Sequence, residues 1–237
     1  MRMILRGLMP ASLAFVACAD LAVAADLGGP RQEWRAPGGY YPQMFRWTGF
    51  YAGVQAGYGW GGTDAVTAAT LGGGLAETFS YSTGGWLGGV HAGYNWQSGP
   101  LVLGLETDIE TSGVEGSGRG TFGGGHLTAI DWMGSLRGRL GYAAGNTLLY
   151  VTGGLAYGDV TLERAWAGGI TTGSTGWTTG WTVGGGIEHA FSQTVSLRLE
   201  YRYTDFGQIS YSSPVLGITD TSDVTHSAVR AGLSFKF

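Results

Sequence analysis

Cysteine is almost missing from this sequence: Cys18 stands alone. No intrachain disulfide can form, and no cysteine-built zinc or iron–sulfur centre can be assembled. Charge is sparse as well, at 13% of residues, and there are only four histidines. Long apolar runs are absent. The longest, Leu8 to Ala17, falls well short of the roughly 20 residues a membrane-crossing helix needs. The glycine strings Gly72-Gly73-Gly74, Gly123-Gly124-Gly125 and Gly184-Gly185-Gly186 lack the following lysine of a phosphate-binding loop. These gaps exclude a disulfide scaffold, a helical membrane protein and a P-loop nucleotide enzyme.

That apolar run instead belongs to an export leader over residues 1–25. Arg2 and Arg6 give the positive start, and Ala22-Val23-Ala24-Ala25 the small-residue cleavage site. Phe15-Val16-Ala17-Cys18 has the outline of a lipoprotein box, but Phe is a poor first residue there and an ordinary site follows. Residues 26–46 carry Pro30, Pro37, Gly38, Gly39 and Pro42 and read as an extended linker.

Glycine and aromatics are what the chain has in excess. There are 46 glycines among 237 residues, against a usual share of about 7%. Disorder does not fit, because Trp, Tyr and Phe make up 13% of the chain and disordered segments are poor in them. From residue 47 to 237 the pattern alternates with period two, the mark of strands with two different faces. Eight such segments are predicted, near 48–60, 82–96, 100–111, 127–142, 147–158, 177–189, 194–205 and 225–237. Short turns follow the second, fourth and sixth. Gly/Ser/Thr-rich loops, near 61–80, 112–126, 159–176 and 206–224, follow the others. The fold class is therefore all-β: an eight-stranded antiparallel transmembrane barrel with short periplasmic turns and longer extracellular loops.

Alternation alone does not say which face looks outward, since a soluble carrier barrel buries its apolar face. Aromatics decide for lipid. Trp86, Tyr94 and Trp96 bracket the second strand and Trp132 and Tyr142 the fourth, with small or aliphatic residues between, as rings sit at the two boundaries of a bilayer. The opposite face is then the lumen. It collects Glu106, Asp108, Glu110, Asp131, Glu188 and Glu200 with Arg137, Arg139, Arg198, Arg202, Arg230 and Lys236. Equal numbers of each sign in a narrow bore predict a plug of ion pairs. The predominance of arginine suits forked carboxylate contacts.

The net charge is −4, and it falls by one more with a leader that carries Arg2, Arg6 and Asp20. The excess acid lies in the outer loops, at Asp64, Glu77, Glu115, Asp159, Glu163, Asp205, Asp220 and Asp223, which should not attract nucleic acid. No catalytic constellation emerges. His226 and Ser227 are neighbours in a strand and point to opposite faces, while Glu110 and His126 merely flank one loop. His91 is expected in the lumen, His189 near a periplasmic end, and His126 and His226 near extracellular ends. No cofactor, metal or catalytic residue is assigned, and the chain is expected not to be an enzyme.

The segment Trp47-Thr48-Gly49-Phe50-Tyr51-Ala52-Gly53, continuing to Gly57-Tyr58-Gly59-Trp60, resembles the small outer-membrane β-barrel, or porin-family, surface proteins of alphaproteobacteria. The resemblance continues through Gly88–Trp96, Asp131–Tyr142, Tyr150–Tyr157, Gly184–Glu188 and Leu199–Phe206, to the closing Phe235-Lys236-Phe237. It implies a barrel in the outer membrane that supports envelope integrity and displays surface loops. Some members of that family are credited with haem binding and others with porin-like activity. A small passive channel, or a haem or host-surface binder, is therefore the alternative to the structural role. The terminal residues Leu233, Phe235 and Phe237 resemble the signal read by the barrel-assembly machinery. The partners this implies are that machinery during biogenesis, outer-membrane lipids and lipopolysaccharide. Oligomeric state is left open.

Overall fold

The computed structural model describes residues 45–69, 76–119, 125–165, 171–213 and 218–237. The predicted leader, and the linker up to residue 44, lie outside them. Eight strands run in chain order: β1 Gly49–Ala69, β2 Ala76–Ser98, β3 Leu101–Arg119, β4 Gly125–Ala144, β5 Thr147–Ala165, β6 Thr171–Ala190, β7 Val195–Ser213 and β8 Ile218–Lys236. Each pairs antiparallel with the next, and β1 pairs with β8 through Val54↔Leu233 and Tyr58↔Val229, so the sheet closes on itself. Among the described residues no helix is long and apolar enough to cross a membrane, a statement that leaves strands aside.

Two of the three short connections are two-residue turns. Gly99 (φ 59°) and Gly145 (φ 62°) take a left-handed conformation at their first position, the geometry of a type II′ hairpin turn whose twist matches the strands. The third lies between Ala190 and Val195, where Ser192 Oγ accepts from the Val195 N–H at 3.0 Å. All three close one end of the barrel, called here the turn end.

The strands run further than the apolar pattern foretells. Residues 61–69, 76–80, 112–119, 159–165, 171–176, 206–213 and 218–224, read from sequence as loop, are strand. The reason is that a β-ladder needs only backbone partners; outside a lipid belt Thr, Ser and Gly serve as well as Leu, and the apolar alternation fades while the ladder continues. Strands of 19 to 23 residues, rising about 3.3 Å per residue at a tilt of about 40°, stand roughly 50 Å tall.

The apolar belt is shorter. Phe50, Leu101, Leu103, Leu105, Leu136, Leu140, Val151, Leu155 and Leu199 are all exposed on the outer wall. Rings mark the belt's limits. At the turn end Phe50 packs on Tyr94 and Tyr94 on Trp96; toward the other end Tyr58 packs on Trp86 and Trp181 on Tyr203. From Trp96 to Trp86 the rise is about 25 Å on the same spacing and tilt, the height of the outward apolar band of an outer-membrane barrel.

The interior is layered. At the turn end Phe45 and Trp47 fold under the barrel and pack with Val102, Leu148, Tyr150 and Ala190. The Phe45 N–H donates to Asn146 Oδ1 (3.3 Å) and the Trp47 N–H to Gln97 Oε1 (2.8 Å), which ties this segment to the turns. Charged residues fill the middle. Above them a second apolar layer includes Leu87, Val114, Ile130, Met133 and Phe206.

Candidate functional site: the charged lumen

β3 supplies three carboxylates on one face at i, i+2 and i+4: Glu106, Asp108 and Glu110 are buried while Leu105, Thr107 and Ile109 between them are exposed. β7 supplies Arg198, Glu200 and Arg202 by the same alternation, β4 supplies Arg137 and Arg139, β6 Glu188 and β8 Arg230. All ten side chains are almost completely shielded from solvent.

Arg137 is the hub. Its guanidinium bonds Glu106, Asp108 at 3.1 Å and Glu200 at 2.9 Å. Arg198 reaches Glu106 at 2.6 Å. Arg202 holds Asp108 at 3.0 Å and Glu200 at 2.8 Å. Arg230 holds Glu110 through both Nε (2.9 Å) and Nη2 (2.8 Å), a forked pair. Arg139 bonds Glu188 and lies 3.8 Å from the centroid of the Tyr150 ring. Five cations thus meet five carboxylates, so the layer is neutral and each desolvated charge has a partner.

Neutral side chains fill remaining lone pairs. Tyr51 donates to Glu106 (2.7 Å), Tyr150 to Glu200 (3.0 Å), Ser135 to Asp108 (2.6 Å), Gln55 to Glu110 (2.8 Å) and Ser196 to Glu188 (2.5 Å). Gln55 also accepts from Arg198, and Thr152 from Arg137 at 2.9 Å. The two tyrosines need glycine opposite them: a Cβ on Gly93 would sit 2.5 Å from the Tyr51 hydroxyl, and one on Gly186 2.8 Å from that of Tyr150. Sequence parity puts all of these polar residues on the inner face; what it lacks is a formal charge to single them out.

Two of the twelve lumen residues named from sequence stand elsewhere. Asp131 is exposed. The β4–β5 register jumps from Ile130↔Val160 to Trp132↔Asp159, leaving Asp131 as the extra residue of a bulge. The bulge inverts parity, so Ile130, assigned outward from sequence, is buried in the upper apolar layer. Lys236 sits at the turn-end rim, donates to the Arg46 carbonyl and has its Nζ 4.9 Å from the centroid of the Phe45 ring. It enters no ion pair among the described residues, because the layer of Phe45 and Trp47 lies between it and the charges.

The histidines do not converge. His91 faces the lumen with Nε2 2.9 Å from Ser234 Oγ. His226 is buried higher up, and His189 is exposed at the turn end beside Thr147. The His126 side chain lies outside the described residues. Among the described residues no group of three or more His, Cys, Asp or Glu side chains is arranged to hold a metal ion. One cavity of about 10 Å³ lies between the ion layer and Met133, lined by Arg230, Arg202, Asp108 and Thr204, about one water molecule in size. The geometry can neutralise, cross-brace and fill a barrel.

A closed ring of eight antiparallel strands with a greasy exterior, two aromatic girdles and an ionic core defines the class of membrane β-barrels. Within that class the model of the outer membrane protein beta-barrel domain family matches residues 14–237. A 31 kDa outer-membrane immunogenic protein of Brucella melitensis is 37% identical over 92% of this chain and 95% of its own length. A 22 kDa outer membrane protein of Rhizobium leguminosarum is 34% identical over 81% of this chain and 78% of its own. The chain belongs to this alphaproteobacterial family of outer-membrane β-barrel proteins and is a protein of the outer membrane. Among solved structures, the outer membrane protein OprG of Pseudomonas aeruginosa superposes with a TM-score of 0.53 at 11% identity, over 81% of this chain and 98% of its own, a likeness of fold alone.

Proposed function

We propose that this protein is a plugged structural barrel that spans the outer membrane, helps hold the envelope together and displays its long end outward. In this reading the turn end and both chain termini face the periplasm, after a leader over 1–25 has been removed and with 26–46 as linker. Leu233, Phe235 and Phe237 serve the assembly machinery as a terminal signal, and the belt meets outer-membrane lipid and lipopolysaccharide.

The observation that carries the proposal is the neutral set of five arginines and five carboxylates, braced by tyrosine, serine and glutamine. It is enclosed between an apolar layer built on Phe45 and Trp47 and another built on Met133 and Phe206. An ion crossing this bore would have to break several charge-assisted hydrogen bonds at once, each contributing about 1.5–3 kcal/mol. Planar-bilayer recording on the purified, folded protein tests this. The expected record is a quiet membrane at all moderate voltages; stable unitary steps of large conductance would replace this reading with that of a passive channel.

A further inference from the structure

The barrel wall is not paired to the same height all the way round. β5 pairs with β6 up to Ala165↔Thr171, and β7 with β8 up to Ser213↔Ile218. Between β6 and β7 the ladder stops at Trp181↔Asp205. Beyond that point 171–180 and 206–213 are still strand. Each is paired on its far side and, among the described residues, unpaired on the side facing the other. The divergence has a local cause. Gly207 takes φ 68°, its N–H donates to the Asp205 carboxylate at 2.7 Å, the β7–β8 register jumps between Asp205 and Gln208, and Phe206 turns into the upper apolar layer. A Cβ on Gly180 would collide with the Asp205 carbonyl, whereas one on Gly176 would meet nothing within 4 Å. The two strands touch at the foot of a slit and part above it.

Open edges present free N–H and C=O groups, and natural sheets blunt them with lysine, proline or very short strands. Neither edge here carries such protection: 171–180 reads TTGSTGWTTG and 206–213 reads FGQISYSS. The charge around the slit is predominantly negative. In register, Asp159 stands opposite Trp177, Glu163 opposite Gly173, Asp223 opposite Gln208 and Asp220 opposite Tyr211, while Asp205 lies at the foot. Against these acids stands one cationic residue among the described parts of the flanking strands, Arg164 opposite Thr172. We propose that the slit between β6 and β7 is a docking site for an extended, basic polypeptide strand, which adds to the open edges by main-chain hydrogen bonding and is drawn in by the acidic flanks. Anionic lipid headgroups and nucleic acid have the wrong sign for this site.

The test uses the full-length mature protein folded in detergent, its integrity checked by the mobility shift of the unboiled band. The probe is a short peptide alternating lysine and valine, compared with a glutamate-for-lysine sibling and with a form N-methylated at alternate amides. Binding of the lysine peptide should be saturable and should slow amide hydrogen exchange in 171–180 and 206–213, and both comparison peptides should fail. Placing charge on the exposed edge positions in T179K/S210K should weaken binding roughly tenfold or more, while V66K/S82K, on the continuous β1–β2 wall, should leave it within about twofold. Equal binding of the N-methylated peptide, or an equal loss in V66K/S82K, would reduce the effect to bulk charge and overturn the proposal. Edge amides already protected without peptide would overturn it too, because the slit would then be zipped on itself.

Discussion

At the scale of single residues, Arg137 concentrates the most interaction: one guanidinium serves Glu106, Asp108 and Glu200. Removing it strands buried negative charge, a change that costs about 3–5 kcal/mol when one partner of a buried pair is lost. Arg137→Met should therefore shift urea unfolding of the folded protein by about that amount, read from the heat-modifiable band or from tryptophan fluorescence. Asp131→Ala, at the exposed bulge, should move it by no more than about 0.5 kcal/mol. This contrast also measures what sequence could say. Ten of the twelve charges assigned to the lumen lie there, because one alternating pattern sets every side chain of a strand. Asp131 escaped because a bulge leaves no mark in composition, and Lys236 because parity says nothing about depth along the axis. Tyr51, Gln55 and Tyr150 were on the assigned face, yet nothing in their chemistry marked them as partners of particular acids before the register was known.

At the scale of the strand, the question is which face meets lipid. Val90 is exposed in mid-belt, between Trp86 and Trp96, and His91 beside it is buried. Val90→Arg should cost about 2–4 kcal/mol in a bilayer, as charges do at the midplane of an outer-membrane barrel, while in a soluble barrel the same exposed substitution would be nearly neutral. Unfolding in lipid vesicles, compared between wild type and variant, separates these outcomes. Strand identity and order were legible in the sequence, as were the three short turns with Gly99 and Gly145. Strand length was not. The apolar alternation ends where the lipid ends, near Trp86 and Trp181, and the Thr/Ser/Gly stretches beyond carry the ladder on in a pattern that resembles loop.

At the scale of the whole molecule, the electrostatics should be insensitive to salt. Screening acts on charges that solvent reaches, over about 10 Å at 0.1 M, and the five lumen cations and their carboxylates are shielded from solvent. Raising sodium chloride from about 0.05 to about 0.5 M should leave the unfolding midpoint almost unchanged; a marked drop would mean that water reaches the ion layer. The pairing of β1 with β8 has one more consequence. Glu110 on β3 finds its forked cation in Arg230, and Arg230 arrives only with the last strand. Until the end of the chain has docked against its beginning, a carboxylate without its forked cation faces an unfinished seam. An incomplete hairpin series therefore cannot be left in hydrocarbon to wait for the rest. Insertion and closure should thus be one event, and a chain cut short before Arg230 should fail to give the compact, heat-modifiable band of the folded barrel.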